Sequence, residues 1–244
     1  MTNLATLLVE AAVRFPRRSA FRLRETVLTY AELDELSAHV AGGLSAHGVR
    51  VGDRVGTMVP YASAFPLLYF GALRIGAVVL PLYPPTPSAA ARPRGAARGA
   101  RLVFTSHDAA EAADVEMNDT TVVPVGPGFL VLAQLGFWPQ AHDVVDRADD
   151  DAAVLVPAGG PGDGWGGMAL SHGTLREHAT VAARRTKEPT SGPGASESPC
   201  TGQSHGLNAV ILAGACLAVG EAVTTGAVSH DLPGYAAAAT ALTE

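Results

Sequence analysis

Lysine and cysteine are nearly absent from this sequence of 244 residues. Among its 17 cationic residues Lys187 is the only lysine, and the others are arginine. Cysteine occurs only at Cys200 and Cys216, which excludes a disulfide framework and the cysteine spacing of a zinc site. We therefore predict no metal centre.

Long apolar runs and an excess of positive charge are missing as well. No stretch approaches the roughly 18 apolar residues that a membrane helix requires, and the first residues carry Glu10 without the basic segment of a signal peptide. We therefore expect a cytoplasmic protein with no membrane partner. The formal net charge of −6 provides no basic field to attract nucleic acid, so no nucleic-acid partner is predicted.

The sequence does contain an alternation of strand-like and helix-like segments. Apolar spacing predicts a helix over 4–15, a hairpin over 20–30, and a second helix after Thr29, where Glu32 completes a capping box. Buried-type strands are predicted in GDRVGTMV, AVVLPLYPPTP and ARLVFTS, with an apolar helix over 63–75. Strands that alternate with helices predict an α/β fold with a mostly parallel sheet layered with helices.

A glycine-rich stretch, VPAGGPGDGWGGMALSH, lies between an apolar strand-like run and a predicted helix start. It places six glycines among the eleven residues from Pro157 to Gly167. A glycine loop that enters a helix favours phosphate binding, because N–H groups at a helix N-terminus face an anion. Glycine alone gives only a permissive backbone, so the neighbouring residues decide whether the loop binds phosphate.

The segment LTYAELDELSAHVAGGLSAHGVRVGDRVGTMVPYASAFPLLYFGALRIGAVVLPLYPPTP resembles the N-terminal region of adenylate-forming enzymes, particularly acyl-CoA synthetases and fatty acyl-AMP ligases. Downstream, DDDAAVLVPAGGPGDGWGGMALSHGTL resembles the strand, phosphate loop and helix of that superfamily. HGLNAVILAGACLAVGEAVTTGAVSHDLPGY resembles its next helix and strand. The resemblance implies a fold like the first subdomain of the family's N-terminal domain.

The same resemblance implies a chain truncated to about the first half of a family member. We expect residues 1–244 to form a single truncated adenylation-like domain. Its first α/β half covers 1–146, and a half with the phosphate loop and the substrate pocket covers 147–244. A polar flexible loop is expected over 185–203.

The phosphate loop departs from the family pattern. In the family this loop combines Ser or Thr hydroxyls with glycines and Pro-Lys-Gly to hold the phosphates of ATP. Here it has no hydroxyl and no cation, while Pro161 lacks an N–H and Asp163 adds a negative charge. Two unit charges about 4 Å apart interact by roughly 4 kcal/mol at an effective dielectric of 20. The glycines of this degenerate loop are Gly159, Gly160, Gly162 and Gly164.

We therefore expect no cofactor and no acyl-adenylate chemistry from this polypeptide alone. The family's adenine- and ribose-binding motifs, and the C-terminal domain whose lysine drives adenylation, would all lie beyond Glu244. Lys187 matches neither of the family's lysines. Whether the chain is an enzyme at all stays open at this point.

Three residues are candidates for catalysis at the acyl pocket. His205, in SHGLNAV, matches the family position that lines this pocket at the start of a helix, or else it caps that helix. His172 is ordinarily structural in the family, and it follows Ser171, the predicted N-cap of the next helix. Cys200 would form a thiolate pair with His205 if the intervening loop folds back, or it has no role. The predicted substrate contacts are Gly206, Leu207 and Trp165.

Two functions remain open. In the first, the protein is an ATP-independent tailoring enzyme of secondary metabolism that uses a histidine as general acid or base on an acyl or polyketide-like substrate. The reactions would be cyclisation, lactonisation, dehydration or thioester hydrolysis. In the second, it is an inactive pseudo-enzyme that binds an acyl chain, a carrier protein or a partner synthase as a scaffold. The loss of covering subdomains would expose an apolar face, from which we predict a homodimer.

Overall fold

The computed structural model describes residues 2–23, 26–59, 64–82, 99–106, 120–125, 137–157, 167–185 and 199–219. Their elements, in chain order, are α1 (Thr6–Arg14), β1 (Ser19–Leu23), β2 (Thr26–Thr29), α2 (Tyr30–Ala46), β3 (Arg54–Met58), α3 (Phe65–Arg74), β4 (Val78–Pro81), β5 (Ala100–Ser106), β6 (Thr121–Val125), β7 (Ala152–Pro157), β8 (Gly167–Ser171), α4 (His172–Arg185), α5 (Pro199–Ala213) and β9 (Leu217–Val219).

Six strands form one sheet in the order β6-β5-β3-β4-β7-β8. Neighbours within it pair in parallel, except that β8 runs antiparallel to β7. A smaller sheet has the order β2-β1-β9, in which β1 is antiparallel to β2 and parallel to β9. The predicted α/β fold with a mostly parallel sheet is confirmed, and strands from both sides of residue 146 share each sheet.

The N-terminus of α2 carries the predicted capping box. The Glu32 N–H donates to the Thr29 hydroxyl at 3.3 Å, and the Thr29 N–H donates to the Glu32 carboxylate at 2.8 Å. The chain leaves α2 through Gly48, whose φ of +77° is a conformation that glycine adopts without strain. All ten residues of α3 are buried, as expected for a helix that is apolar on every side.

An extended segment, 137–148, packs across α2 and α3. The ring of Trp138 occupies the space that a side chain at Gly43 would need, since a Cβ there would lie 1.8 Å from it. Buried Arg74, in the last turn of α3, donates to the carbonyl of His142 at 2.7 Å and pairs with the Asp34 carboxylate. These contacts join the segment before β7 to the helices that cover the sheet.

Helical residues lie at both ends of the polar loop predicted over 185–203, and the loop itself stays a prediction. Arg185 is the last residue of α4, and residues 199–203 belong to the first half of α5; residues 186–198 lie outside the described part. Proline is tolerated at the first helical position because the N–H that it lacks would have no partner there. The buried residues Leu207, Val210 and Ile211 mark the apolar face of α5, whereas its polar first half gave no helical signal.

Candidate functional site

The carboxyl ends of the parallel strands β3 to β7 share one edge of the six-stranded sheet. In open α/β sheets, ligands bind outside this carboxyl edge. The glycine-rich loop begins here, because it follows Pro157, the last residue of β7. The predicted loop residues Gly159, Gly160, Gly162, Gly164 and Trp165 lie outside the described residues.

The glycine-rich loop joins two strands, not a strand and a helix as the sequence predicts. Pro157 pairs with Gly167 and Ala152 pairs with Ser171, so β7 and β8 form a hairpin around the loop. Because α4 begins only after β8, its N-terminus lies at the opposite end of the hairpin, about 15 Å from the loop at roughly 3.3 Å per residue. The N–H groups of α4 therefore lie at the other end of β8 from Gly167, the first described residue after the loop.

His172 is fully buried beside the N-terminal segment of the chain. Its Nδ1 accepts a hydrogen bond from the Leu4 N–H at 3.0 Å, which leaves the ring proton on Nε2, and Nε2 has no partner among the described residues. Burial lowers the pKa of His172 to about 4, and the charge of Arg147 acts in the same direction. The ring is neutral and enclosed, and it lies at the amino edge of the sheet, where the parallel strands begin. This setting favours a structural role for His172, which the sequence offers as a catalytic candidate.

Ser171 has the predicted capping position. The Thr174 N–H donates to the Ser171 hydroxyl at 3.2 Å, so a side chain satisfies one free N–H at the start of α4. Arg176, one turn later, donates to the carbonyl of Asn3 at 3.0 Å and to the Thr6 hydroxyl at 2.8 Å. The start of α4 is thus bound to the N-terminal segment.

His205 and Cys200 both belong to α5, and their side chains lie outside the described part of the protein. His205 lies near the middle of the 15-residue α5, not at a helix start, and Cys200 lies in its first turn, not in a loop. At 3.6 residues per turn, positions five apart differ by about 140° in direction. This register argues against the predicted Cys200–His205 pair, while His205 stays a prediction.

The two predicted substrate contacts on α5 have different surroundings. Gly206 is exposed, and a Cβ added there would meet no atom of the described residues within 4 Å. Leu207 is 1% exposed and belongs to the hydrophobic core. Gly206 is therefore exposed, whereas Leu207 packs inside the protein.

Sequence reasoning missed the polar contact that joins α5 to α3. Asn208 is fully buried, and its Nδ2 donates to the hydroxyl of Tyr69, in α3, at 2.9 Å. At the other end of α5, the Tyr30 hydroxyl donates to the carbonyl of Ala215 at 2.7 Å, and burial raises the pKa of Tyr30. A polar residue inside the apolar run LNAVILA was the signal that could have identified Asn208.

An open cleft of about 410 Å³ lies at the amino edge, beside the first turns of α4. Its lining mixes carboxylates with one arginine, and it contains none of the predicted site residues. The residues that line it are Asp149, Asp150, Ser171, Gly173, Thr174, Arg176 and Glu177. Within the described ranges no three His, Cys, Asp or Glu side chains are grouped to hold a metal ion, and no helix is long and apolar enough to cross a membrane.

The sequence profile of the AMP-binding enzyme family matches residues 8–161. Long-chain-fatty-acid–CoA ligase FadD13 of Mycobacterium tuberculosis is 34% identical over 84 residues, which cover 34% of this chain and 17% of that protein. Feruloyl-CoA synthase of an Amycolatopsis species is 32% identical over 176 residues, which cover 68% of this chain and 33% of that protein. The chain thus spans a third or less of the length of these curated relatives.

Two solved structures illustrate how widely the fold of this chain is matched. The complex of VinN with 3-methylaspartate superposes with a TM-score of 0.72 at 22% identity, covering 88% of this chain and 60% of VinN. The N-terminal domain of FACL13 from Mycobacterium tuberculosis gives a TM-score of 0.70 at 22% identity, covering 90% of this chain and 57% of that one. The likeness at this identity concerns the fold.

Proposed function

This chain belongs to the AMP-binding enzyme family, and from that premise we propose that it binds a small acyl group without forming an acyl adenylate by itself. The composition of the glycine-rich loop carries this proposal. Between Pro157 and Gly167 there is no hydroxyl and no cation, and Asp163 adds a negative charge. A triphosphate in such a loop would lack the neutralising charge that phosphate binding requires.

The acyl group is assigned to the carboxyl edge of the sheet and to α5. Parallel strands present their carboxyl ends there, and ligands of open α/β sheets bind at this edge. The names of two relatives, a long-chain-fatty-acid–CoA ligase and a feruloyl-CoA synthase, supply the substrate class for testing. The exposure of Gly206, which has no neighbour within 4 Å of its Cβ position among the described residues, supports a contact between α5 and a ligand.

The first form of the proposal is a tailoring enzyme that needs no ATP. His205 would act as general acid or base on an already activated acyl or polyketide-like substrate, in a cyclisation, lactonisation, dehydration or thioester hydrolysis. His172 is set aside, because its ring is fully buried at the other edge of the sheet. The reaction would use no cofactor.

The second form is a scaffold that presents an acyl chain, a carrier protein or a partner synthase. The composition of the glycine-rich loop favours it as well, because a scaffold requires no triphosphate site and this loop has no hydroxyl and no cation. In either form we propose that residues 1–244 act as one unit, with the loop and pocket in its second half, and that two copies associate as a homodimer.

Pyrophosphate exchange tests the loss of adenylation. The 244-residue chain is incubated with ATP, labelled pyrophosphate, and dodecanoate or ferulate, beside an acyl-CoA ligase as positive control. We expect no label in ATP from this chain, together with measurable binding of one of the two acids by calorimetry. Exchange above the protein-free blank would refute the loss of adenylation, and failure to bind either acid would refute the acyl site.

A histidine pair separates the enzyme from the scaffold. Thiol release from a dodecanoyl thioester, and ring closure of a synthetic polyketone, are measured for the wild type, His205→Ala and His142→Ala. Because general acid–base catalysis contributes about 100-fold or more, His205→Ala should lose turnover by that factor with an unchanged melting temperature. His142 is exposed, so its variant should keep full activity. Absence of turnover in the wild type, with a synthase or carrier protein co-purifying, would favour the scaffold.

A further inference from the structure

Asn208 is a polar side chain buried in the apolar half of α5. It is 0% exposed, and its neighbours Leu207 and Ala209 are also buried. Its Nδ2 donates to the Tyr69 hydroxyl, but its Oδ1 has no hydrogen-bond partner within the described residues. A buried acceptor without a partner costs roughly 1–3 kcal/mol, so an apolar residue would serve packing better at this position.

Tyr69 provides a rigid partner for Asn208. It is fully buried in α3, stacks on Phe65 with ring centroids 5.5 Å apart, and meets Phe70 edge-on at 5.1 Å. Helix α3 follows β3 in the chain and covers the sheet at whose carboxyl edge the acyl group is assigned. A hydrogen bond to this hydroxyl therefore fixes α5 relative to the body of the protein.

We propose that Asn208 is a positioning residue for His205. Apolar contacts against α1 and α4 hold α5 in place but carry little directional preference, whereas the bond to Tyr69 fixes the rotation of α5 about its own axis. His205 lies three residues before Asn208, about 60° away on the helix and one turn along it. The hydrogen bond between Asn208 and Tyr69 thus fixes the position of the backbone at residue 205. This inference rests on the proposed acyl site beside α5.

The surroundings of His205 after a paired substitution distinguish a positioning role of Asn208 from a packing role. Asn208→Leu with Tyr69→Phe removes the hydrogen bond together with the unpaired acceptor, and such a change is neutral or stabilising when only packing matters. If Asn208 positions His205, the same pair changes the surroundings of His205 although the protein stays folded.

Ring resonances of the histidines give a measurement that does not depend on activity. The signal of His205 is assigned by its loss in His205→Gln, and its chemical shift and titration are followed in Asn208→Leu, Tyr69→Phe and the double variant. We expect each single variant to displace the His205 signal and to weaken the binding of dodecanoate or ferulate about fivefold, the value of one neutral hydrogen bond. The double variant should add no further change, and the melting temperature should not fall.

Asn3→Leu is the matched control. Asn3 is also a fully buried amide, but it bonds to the carbonyls of Leu73 and Val145, far along the chain from α5. This variant should lower the melting temperature and leave the His205 signal in place.

An unchanged His205 signal in Tyr69→Phe would overturn the positioning role, and it decides the matter even if Asn208→Leu fails to fold, since phenylalanine keeps the ring packing. If the signal moves in both variants but the wild type binds neither acid, the acyl site fails and the positioning of residue 205 stands.

Discussion

At the scale of single residues, glycines inside helices have opposite surroundings. In α3, a Cβ at Gly71 would lie 2.4 Å from the side chain of Val40, so glycine there allows α2 and α3 to approach closely. In α5, a Cβ at Gly206 would meet nothing within 4 Å in the described part of the chain. Glycine in a helix costs about 1 kcal/mol relative to alanine, and no contact from the residues that the structure describes offsets this cost at Gly206. The open position is consistent with the proposed acyl contact.

These surroundings predict opposite effects of the same substitution. Gly206→Ala should raise the free energy of unfolding by roughly 0.5–1 kcal/mol, because alanine loses less backbone entropy and fills empty space. Gly71→Ala should lower it by about 1–3 kcal/mol, because α2 and α3 must separate. Urea unfolding of the two variants beside the wild type measures both values. A loss of stability in Gly206→Ala would show that the space beside α5 is occupied.

At the scale of elements, the sequence predicts the features that depend only on residues close together in the chain. The capping box of Thr29 and Glu32, the positive φ of Gly48, and the all-buried α3 each follow from residues within a few positions of one another. The confirmed order of strands and helices then leads to the parallel sheet. This part of the fold needed no knowledge of distant contacts.

The elements near the candidate site depend on distant contacts and were predicted less well. The sequence predicts that residues 168–171 lead directly into a helix, but they form a strand because they pair with β7. The first half of α5 is polar, and the helix is defined by the burial of its second half. The contact between Asn208 and Tyr69 joins residues 139 positions apart, so no local pattern contains it.

Consequently, the family resemblance identified His205 as a candidate but did not predict its position within α5. It placed His205 at the start of a helix, whereas six residues of α5 precede it. His172 was kept as a catalytic candidate although the resemblance implies a structural role, and the antiparallel strand β8 carries it to the amino edge of the sheet. Both differences arise from strand pairing and helix packing, which are properties of the folded chain.

At the scale of the whole molecule, a buried polar network joins the N-terminal segment to the second half of the chain. Asn3 donates to the carbonyls of Leu73 and Val145 at 2.7 and 2.8 Å, and Thr2 bonds to the carbonyl of Arg147. His172 completes this network by accepting the Leu4 N–H. Residues separated by 70 to 168 positions are thereby held together at the amino edge of the sheet.

This network predicts how the stability of the molecule depends on pH. The pKa of His172 is about 4 in the folded protein and about 6.5 when unfolded, so between these values the unfolded chain binds more protons. Stability should therefore fall as the pH drops from 6.5 towards 4, by about 3 kcal/mol from this residue. Protonation of Nδ1 would also break the bond from Leu4. Arg147 and Arg176 strengthen the effect, while Asp149 and Asp151 oppose it.

Substitution isolates the contribution of His172 from that of the carboxylates, which titrate over the same range. His172→Gln cannot gain a proton, so its urea unfolding free energy should change less between pH 6.5 and pH 4.5 than that of the wild type. His142→Gln removes an exposed histidine and should follow the wild type. Parallel losses of stability in the wild type and in His172→Gln would contradict the prediction, because the buried ring would then titrate alike in the folded and unfolded chains.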